Sequence, residues 1–191
     1  AVAIQADMSR VAEIHRLFQE TISRFDRGDI LVNNAALSLY RSIVETTEEE
    51  FDRVFALNAR GPFFAMQEAA RVLPDHGRIV NISSGATTVG FPYQSVYCGS
   101  KSALEQFTLV CANELGPRGI TVNAVLAGPT ETDMLDGILE HSPEFKAMLI
   151  QRTPMGRIGQ PPDMADVVAF LVSDDARWIT GQSIRVDGGA R

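Results

Sequence analysis

Lysine is almost missing from this sequence. Lys101 and Lys146 are its two instances in 191 residues, and arginine supplies the rest of a basic total of 17. Set against 24 acidic side chains, that leaves a net charge of −7, which argues against a nucleic-acid partner. Cysteine is equally scarce. Cys98 and Cys111 fall thirteen residues apart on one predicted helix, about 20 Å along its axis, too far for a disulfide between them. A reducing cytoplasm is the expected setting. Three scattered histidines (15, 76 and 141) show no paired ligand spacing, so no metal site is expected. Apolar runs such as Val167–Val172 are far too short to span a membrane, and no signal-peptide pattern opens the chain.

What is present reads as a soluble globular protein. Apolar residues make up 45% and charged residues 21%, and a single domain over 1–191 is expected. One of the scarce lysines lies four residues after one of only three tyrosines, in the run Ser-Val-Tyr97-Cys-Gly-Ser-Lys101. This run opens a predicted helix from Ser95 to about Leu115, and the spacing stacks both side chains on one helical face. A phenol titrates near pH 10, and a neighbouring fixed cation favours its ionised form, which makes a proton donor usable near neutrality. The bland alternative is a surface tyrosine beside a solvated lysine. Cys98 next to Tyr97 invites a nucleophile reading, but no histidine is near it in sequence and a half-buried bystander thiol is expected.

Elsewhere strand and helix patterns alternate. Val2–Asp7, Asp29–Asn34, Arg78–Ser83, Ile120–Leu126 and Gln182–Val186 read as strands. Ser9 looks like the N-cap of a helix with Val11, Ile14, Leu17/Phe18 and Ile22 on one face. Thr47 and Glu50 form a capping box that opens a long helix toward Leu73. Pro161-Pro162-Asp163 opens a helix through Leu171. The alternation predicts α/β architecture, a Rossmann-like, doubly wound parallel sheet with helices on both faces. Asn58 falls inside the long helix, four residues before Pro62. Proline lacks an N–H, so the Asn58 carbonyl loses its donor and a kink is expected there.

Six ordered runs accompany the Tyr97/Lys101 pair. They are Asn33-Asn34-Ala35-Ala36, Asn58, Val80-Asn81-Ile82-Ser83-Ser84, Thr121-Val122-Asn123-Ala124-Val125, Gly128-Pro129-Thr130-Glu131-Thr132, and Ile179-Thr180-Gly181-Gln182 with Val186-Asp187-Gly188-Gly189. In this order the chain resembles the short-chain dehydrogenases/reductases in their compact form, along essentially its whole length. The resemblance implies hydride transfer between NAD(P)H and a carbonyl or alcohol. By it, Tyr97 is the general acid/base, Lys101 tunes Tyr97 and holds the nicotinamide ribose, and Ser84 hydrogen-bonds the substrate oxygen. Ser83 is the competing serine. The matching Asn58 would anchor a water that relays protons to the lysine. Asp7 would hold the adenine amino group, against a plain reading as an acid leading into a helix. Asn33 and Ala35 would line the adenosine side, and Gly128, Pro129 and Thr132 would flank the nicotinamide. Ala127 stands where the family usually has proline.

The resemblance also implies a small-molecule carbonyl or alcohol substrate and a homodimer or homotetramer built on the helices of Asn58 and Tyr97. NADP(H) is preferred to NAD(H), from the likeness of Asn58-x-Arg60-Gly61 to reductases of polyketide-type aromatic ketones. A 3-oxoacyl-thioester reductase and a non-catalytic scaffold or fragment are the alternatives. The family's Gly-rich turn, Thr-Gly-x-x-x-Gly-x-Gly, occurs nowhere in the 191 residues. Its backbone N–H groups would approach the coenzyme pyrophosphate. In the family's strand order, 3-2-1-4-5-6-7, Val2–Asp7 would be the third strand, with two βα units (on the order of 50 residues) before it. The expectation is that Ala1 is not the biological N-terminus.

Overall fold

Four short apolar runs pair side by side in parallel: β1 (Ile30–Asn33), β2 (Arg78–Ser84), β3 (Thr121–Ala127) and β4 (Ser183–Val186). The computed structural model describes residues 1–139 and 143–190, so His141 lies outside the described residues. The strands lie in the order β1-β2-β3-β4, with Val32 beside Val80, Val80 beside Asn123 and Val125 beside Ile184. Parallel neighbours need crossover connections, and helices supply them. Here α1 (Val11–Phe25) precedes β1, α2 (Glu48–Phe55) and α3 (Gly61–Val72) link β1 to β2, α4 (Ser95–Leu115) links β2 to β3, and α5 (Asp133–Leu139), α6 (Pro143–Arg152) and α7 (Pro161–Leu171) lie between β3 and β4. Among the described residues, no helix is long and apolar enough to cross a membrane.

The two central strands are buried along nearly their whole length, as expected of parallel strands covered on both faces. Their side chains alternate. Ile79 and Val122 pack with Met66 of α3, Leu73 just after it, and Leu104 and Leu115 of α4. Val80 and Val125 pack with Leu171 and Ala176 on the opposite side. This is the doubly wound α/β arrangement that the sequence pattern predicts. The limits of α4 and α7 coincide with the expected ones, and the other paired strands agree within a residue at each end.

Three expectations need correction. Val2–Asp7 is no strand but an unpaired stretch of chain. A strand is held by a neighbour's N–H and C=O groups, and no described residue offers them here. Nor does Ser9 cap α1. Its N–H and Oγ both donate to the Asp7 carboxylate, at 2.9 and 2.7 Å, and Arg10 stands at the cap position without a side-chain cap bond. Those two bonds hold the Asp7 carboxyl below its usual range. The third correction concerns the long helix. The capping box forms with both of its bonds, but the helix does not run unbroken toward Leu73: a π-helical turn, Ala56–Arg60, interrupts it. The Gly61 N–H reaches the Ala56 carbonyl five residues back. A chain that lacks the Pro62 donor can thus widen by one residue and continue.

That wide turn also docks the start of the chain. Arg60 Nη2 donates to the Ser9 carbonyl at 2.9 Å. A Cβ on residue 61 would collide with the Met8 carbonyl oxygen, so glycine is required by close approach. The Arg60-Gly61 pair therefore has a structural task, holding the Asp7–Arg10 turn against α3. Gly61→Ala should lower stability by about 1–3 kcal/mol, as overpacked contacts do. Urea denaturation checks this, and an unchanged midpoint would contradict the contact.

Candidate active site

One face of α4 presents Tyr97, Lys101, Glu105 and Thr108 to the last residues of β2, at the three- and four-residue spacings that align helical side chains. Lys101 is 3% exposed, and its Nζ donates to the Ile82 carbonyl at 2.7 Å. Ser83 Oγ donates to Glu105 Oε1 at 2.6 Å and lies 3.4 Å from the Lys101 carbonyl. Asn81 Nδ2 donates to Thr108 Oγ1 at 2.8 Å. Three successive residues of the strand are therefore fastened to the helix.

Strand alternation separates the two serines. Ser83 shares the α4 side with Asn81, and its hydroxyl is occupied there. Both serines border the cavity that Tyr97 lines, but only Ser84 leaves its hydroxyl clear of the Glu105 carboxylate. Ser84 Oγ accepts the Ala86 N–H at 3.2 Å. Burial pushes the Tyr97 phenol above 10.0, with the Ser84 side chain acting the other way. Burial lowers Lys101 from 10.5 to about 8, opposed by the Glu105 carboxylate. The expected depression of Tyr97 by Lys101 is not found in this state, because the ammonium is directed at the Ile82 carbonyl and burial dominates the phenol. Burial also raises the Cys98 thiol, whose Sγ lies 3.5 Å from the Ala86 carbonyl, an environment that keeps it protonated.

Asn58 is fully buried at the centre of the π turn. Its side chain clamps the backbone of Leu37: Oδ1 accepts the Leu37 N–H and Nδ2 donates to the Leu37 carbonyl, each at 2.9 Å. Nδ2 also reaches Ser100 Oγ on α4, at 3.1 Å. The loop after β1 is thereby pinned to the helix that carries Tyr97. It is pinned again where the Arg41 N–H donates to the Tyr93 carbonyl at 2.7 Å and the Tyr40 and Tyr93 rings meet.

These elements enclose a cavity of about 880 Å³ at the carboxyl ends of the strands, where open α/β sheets bind ligands. Ser84, Tyr97, Lys101, Ala35, Gly128, Pro129 and Thr132 all line it. Asn33 does not. Its Nδ2 donates to Asn81 Oδ1 at 2.8 Å inside the sheet, and the next residue, Asn34, faces the cavity instead. Asp7 is exposed and outside the cavity wall. At Gly128 a Cβ would come within 2.5 Å of Asp187 Cα, so the loop after β3 can lie against the Asp187 turn only with glycine there. Sequence reasoning missed Phe91, Gln94 and Arg152, which also line the cavity. Phe91 and Gln94 stand close before Tyr97, the nearest thing to a signal. Arg152 comes from a distant helix and gave none. Small residues (Ala35, Ala36 and Gly128) beside buried Lys101 suit the nicotinamide and ribose half of a dinucleotide. A phosphate-cradling glycine turn is not among the 191 residues.

A family model described as enoyl-(acyl carrier protein) reductase matches residues 1–191. An uncharacterized oxidoreductase of Methylorubrum extorquens is 44% identical over 191 residues, covering 100% of this chain and 77% of that one. The short chain dehydrogenase/reductase nsrJ of Aspergillus novofumigatus is 42% identical over 200 residues, covering 100% and 76%. Among solved structures, the angucycline C-6 ketoreductase LanV with bound NADP is 42% identical with a TM-score of 0.91, over 99% of this chain and 75% of that one. A second LanV structure holds NADP and rabelomycin. The fold and the ordered motifs define an α/β oxidoreductase of Rossmann type. The chain belongs to the short-chain dehydrogenase/reductase family.

Lys101 gives a pH signature. Its folded pKa, about 8, lies below the ordinary 10.5. Below pH 8 both folded and unfolded forms are protonated and the burial penalty is constant. Between about 8 and 10.5 the unfolded chain binds the extra proton, so this group's contribution to stability rises with pH. The difference in urea midpoint between the parent and Lys101→Met should therefore change across that window in the parent's favour. A difference independent of pH would contradict the buried, depressed lysine.

Proposed function

We propose that this chain interconverts a ketone and a secondary alcohol by hydride transfer with NAD(P)(H), Tyr97 being the general acid/base. The observation that carries the reading is the shared wall of Ser84, Tyr97 and Lys101 in one cavity. The dinucleotide, when bound, supplies or accepts the hydride. The substrate carbonyl oxygen faces Ser84 and Tyr97. As that oxygen gains charge, Ser84 donates a hydrogen bond to it and Tyr97 gives up its proton. Lys101 has three donors, and the Ile82 carbonyl takes one. The other two suit ribose hydroxyls, and its charge favours the Tyr97 phenolate left after proton transfer. The Asn58 main-chain carbonyl, in the widened turn, is the proposed anchor of the water that returns the proton through Lys101.

Gly128, Pro129 and Thr132 would flank the nicotinamide, with Ala35 along the adenosine side and Asp7 toward the adenine. Asn33 would act from behind, by holding Asn81 in the sheet. NADP(H) is the proposed coenzyme, supported by the NADP found in the LanV structures. The description of the matching family model favours one second reading, an acyl-thioester substrate. Assays of acetoacetyl thioesters against aromatic ketones separate the two. A homodimer is proposed through the exposed aromatic groove of Phe55, Phe63, Phe64 and Phe107, lined on one side by Glu48, Glu49 and Asp52.

Tyr97→Phe in the full protein should reduce ketone turnover by about 10²–10⁴-fold while NADPH affinity is kept. Retained turnover would refute the acid assignment. Phe63→Glu should give monomers by light scattering, and an unchanged dimer would refute the groove as its interface.

A further inference from the structure

Beyond Tyr97, toward α5 and α6, the cavity wall is apolar: Phe91, Leu135, Phe145 and Leu149. Into this wall the last turn of α6 brings Arg152, with its guanidinium carbon 5.9 Å from the centroid of the Phe91 ring. The other charges of the cavity wall are answered within the chain. Lys101 donates to the Ile82 carbonyl at 2.7 Å. Arg185 pairs with Asp187 at 2.5 Å and donates to Thr88 Oγ1 at 2.8 Å. Nearby outside the wall, Lys146 pairs with Glu131 at 3.2 Å and Arg157 with Asp163 at 2.7 Å. Among the described residues no carboxylate pairs with Arg152. Among the described residues, a chain of net charge −7 thus leaves this guanidinium without a carboxylate beside an apolar wall.

Chemistry narrows what such a group reads. A guanidinium resting on an aromatic ring presents its face to the ring and keeps its N–H edge free. That edge matches a planar oxyanion two bonds at a time. The ring beneath it restricts the side chain's rotamers, so less freedom is lost on binding. We propose that Arg152 recognises an oxyanion, a carboxylate or ionised phenol, on an aromatic substrate whose ketone faces Ser84 and Tyr97. The apolar wall takes the ring system between the two polar ends. This assignment rests on the reductase reading of the cavity, and its test is a binding measurement that needs no turnover.

The probe is 2-naphthoate, with the uncharged 2-naphthamide as control, titrated calorimetrically into the full protein with saturating NADP+. The parent should bind naphthoate about tenfold more tightly than naphthamide, the scale of one charge-assisted pair at a partly exposed site. Arg152→Gln should erase that preference with the melting temperature unchanged. Arg152→Lys, which keeps the charge and loses the planar fork, should retain part of it. Tyr97→Phe should bind naphthoate as the parent does. A parent that shows the preference yet reduces no ketone would lose the reductase reading and keep this site. No preference in the parent, or a preference that survives Arg152→Gln, would overturn the proposal. So would an equal loss of NADP+ affinity in Arg152→Gln, which would assign the arginine to a coenzyme phosphate.

Discussion

A buried ammonium fixes the geometry on which the site depends. Removing a cation from water is tolerated only where hydrogen bonds and counter-charge replace what is lost. Lys101 finds one replacement in the Ile82 carbonyl and another, at longer range, in Glu105. Both requirements tie α4 to the end of β2 in one register. Four residues back along the helix, Tyr97 is then carried to the same cavity wall as Ser84. The position of the phenol follows from the satisfaction of the lysine.

The floor under that arrangement is a polar chain within an apolar core. Asn33 bonds to Asn81, Asn81 to Thr108, and Thr108 to the Leu104 carbonyl. Each buried donor has a partner, so the chain specifies how β1, β2 and α4 align instead of weakening the core. The π turn does comparable work from the other side of α4. It brings Asn58 to the Leu37 backbone and to Ser100 together, so the loop that walls the cavity moves only if the helix moves. Widened helical turns persist where a local constraint repays them, and here that constraint is the clamp on this loop.

Much of this was legible in the sequence, for identifiable reasons. The Tyr97-x-x-x-Lys101 helix, the Thr47/Glu50 box and the central strands are written in local spacing, and local spacing survives folding. Ser84 could be preferred to Ser83 from its spacing to Tyr97 and its place at the outgoing end of the strand; both line the cavity, and the Ser83 hydroxyl is taken by Glu105. Strand alternation misleads at Asn33, where one residue's shift exchanged a sheet-interior amide for the cavity-facing Asn34. Val2–Asp7 carried a strand's composition but not its neighbour, and pairing is not a property of the segment itself. Arg152 meets Phe91 across 61 positions, a contact set by tertiary packing that no motif encodes. The π turn was readable only as a disturbance at Pro62, since sequence names the missing donor and not how the helix accommodates its loss.

The account's central claim is that the Ser84 hydroxyl serves the chemistry, while the Ser83 hydroxyl, bound to Glu105, serves the scaffold. Steady-state NADPH oxidation on an aromatic ketone, compared between Ser84→Ala and Ser83→Ala in the full protein, tests it most directly. The account predicts a loss of about 10²–10³-fold for Ser84→Ala, the scale of a removed oxyanion donor, and less than about tenfold for Ser83→Ala. Equal losses, or the larger loss at Ser83, would contradict it.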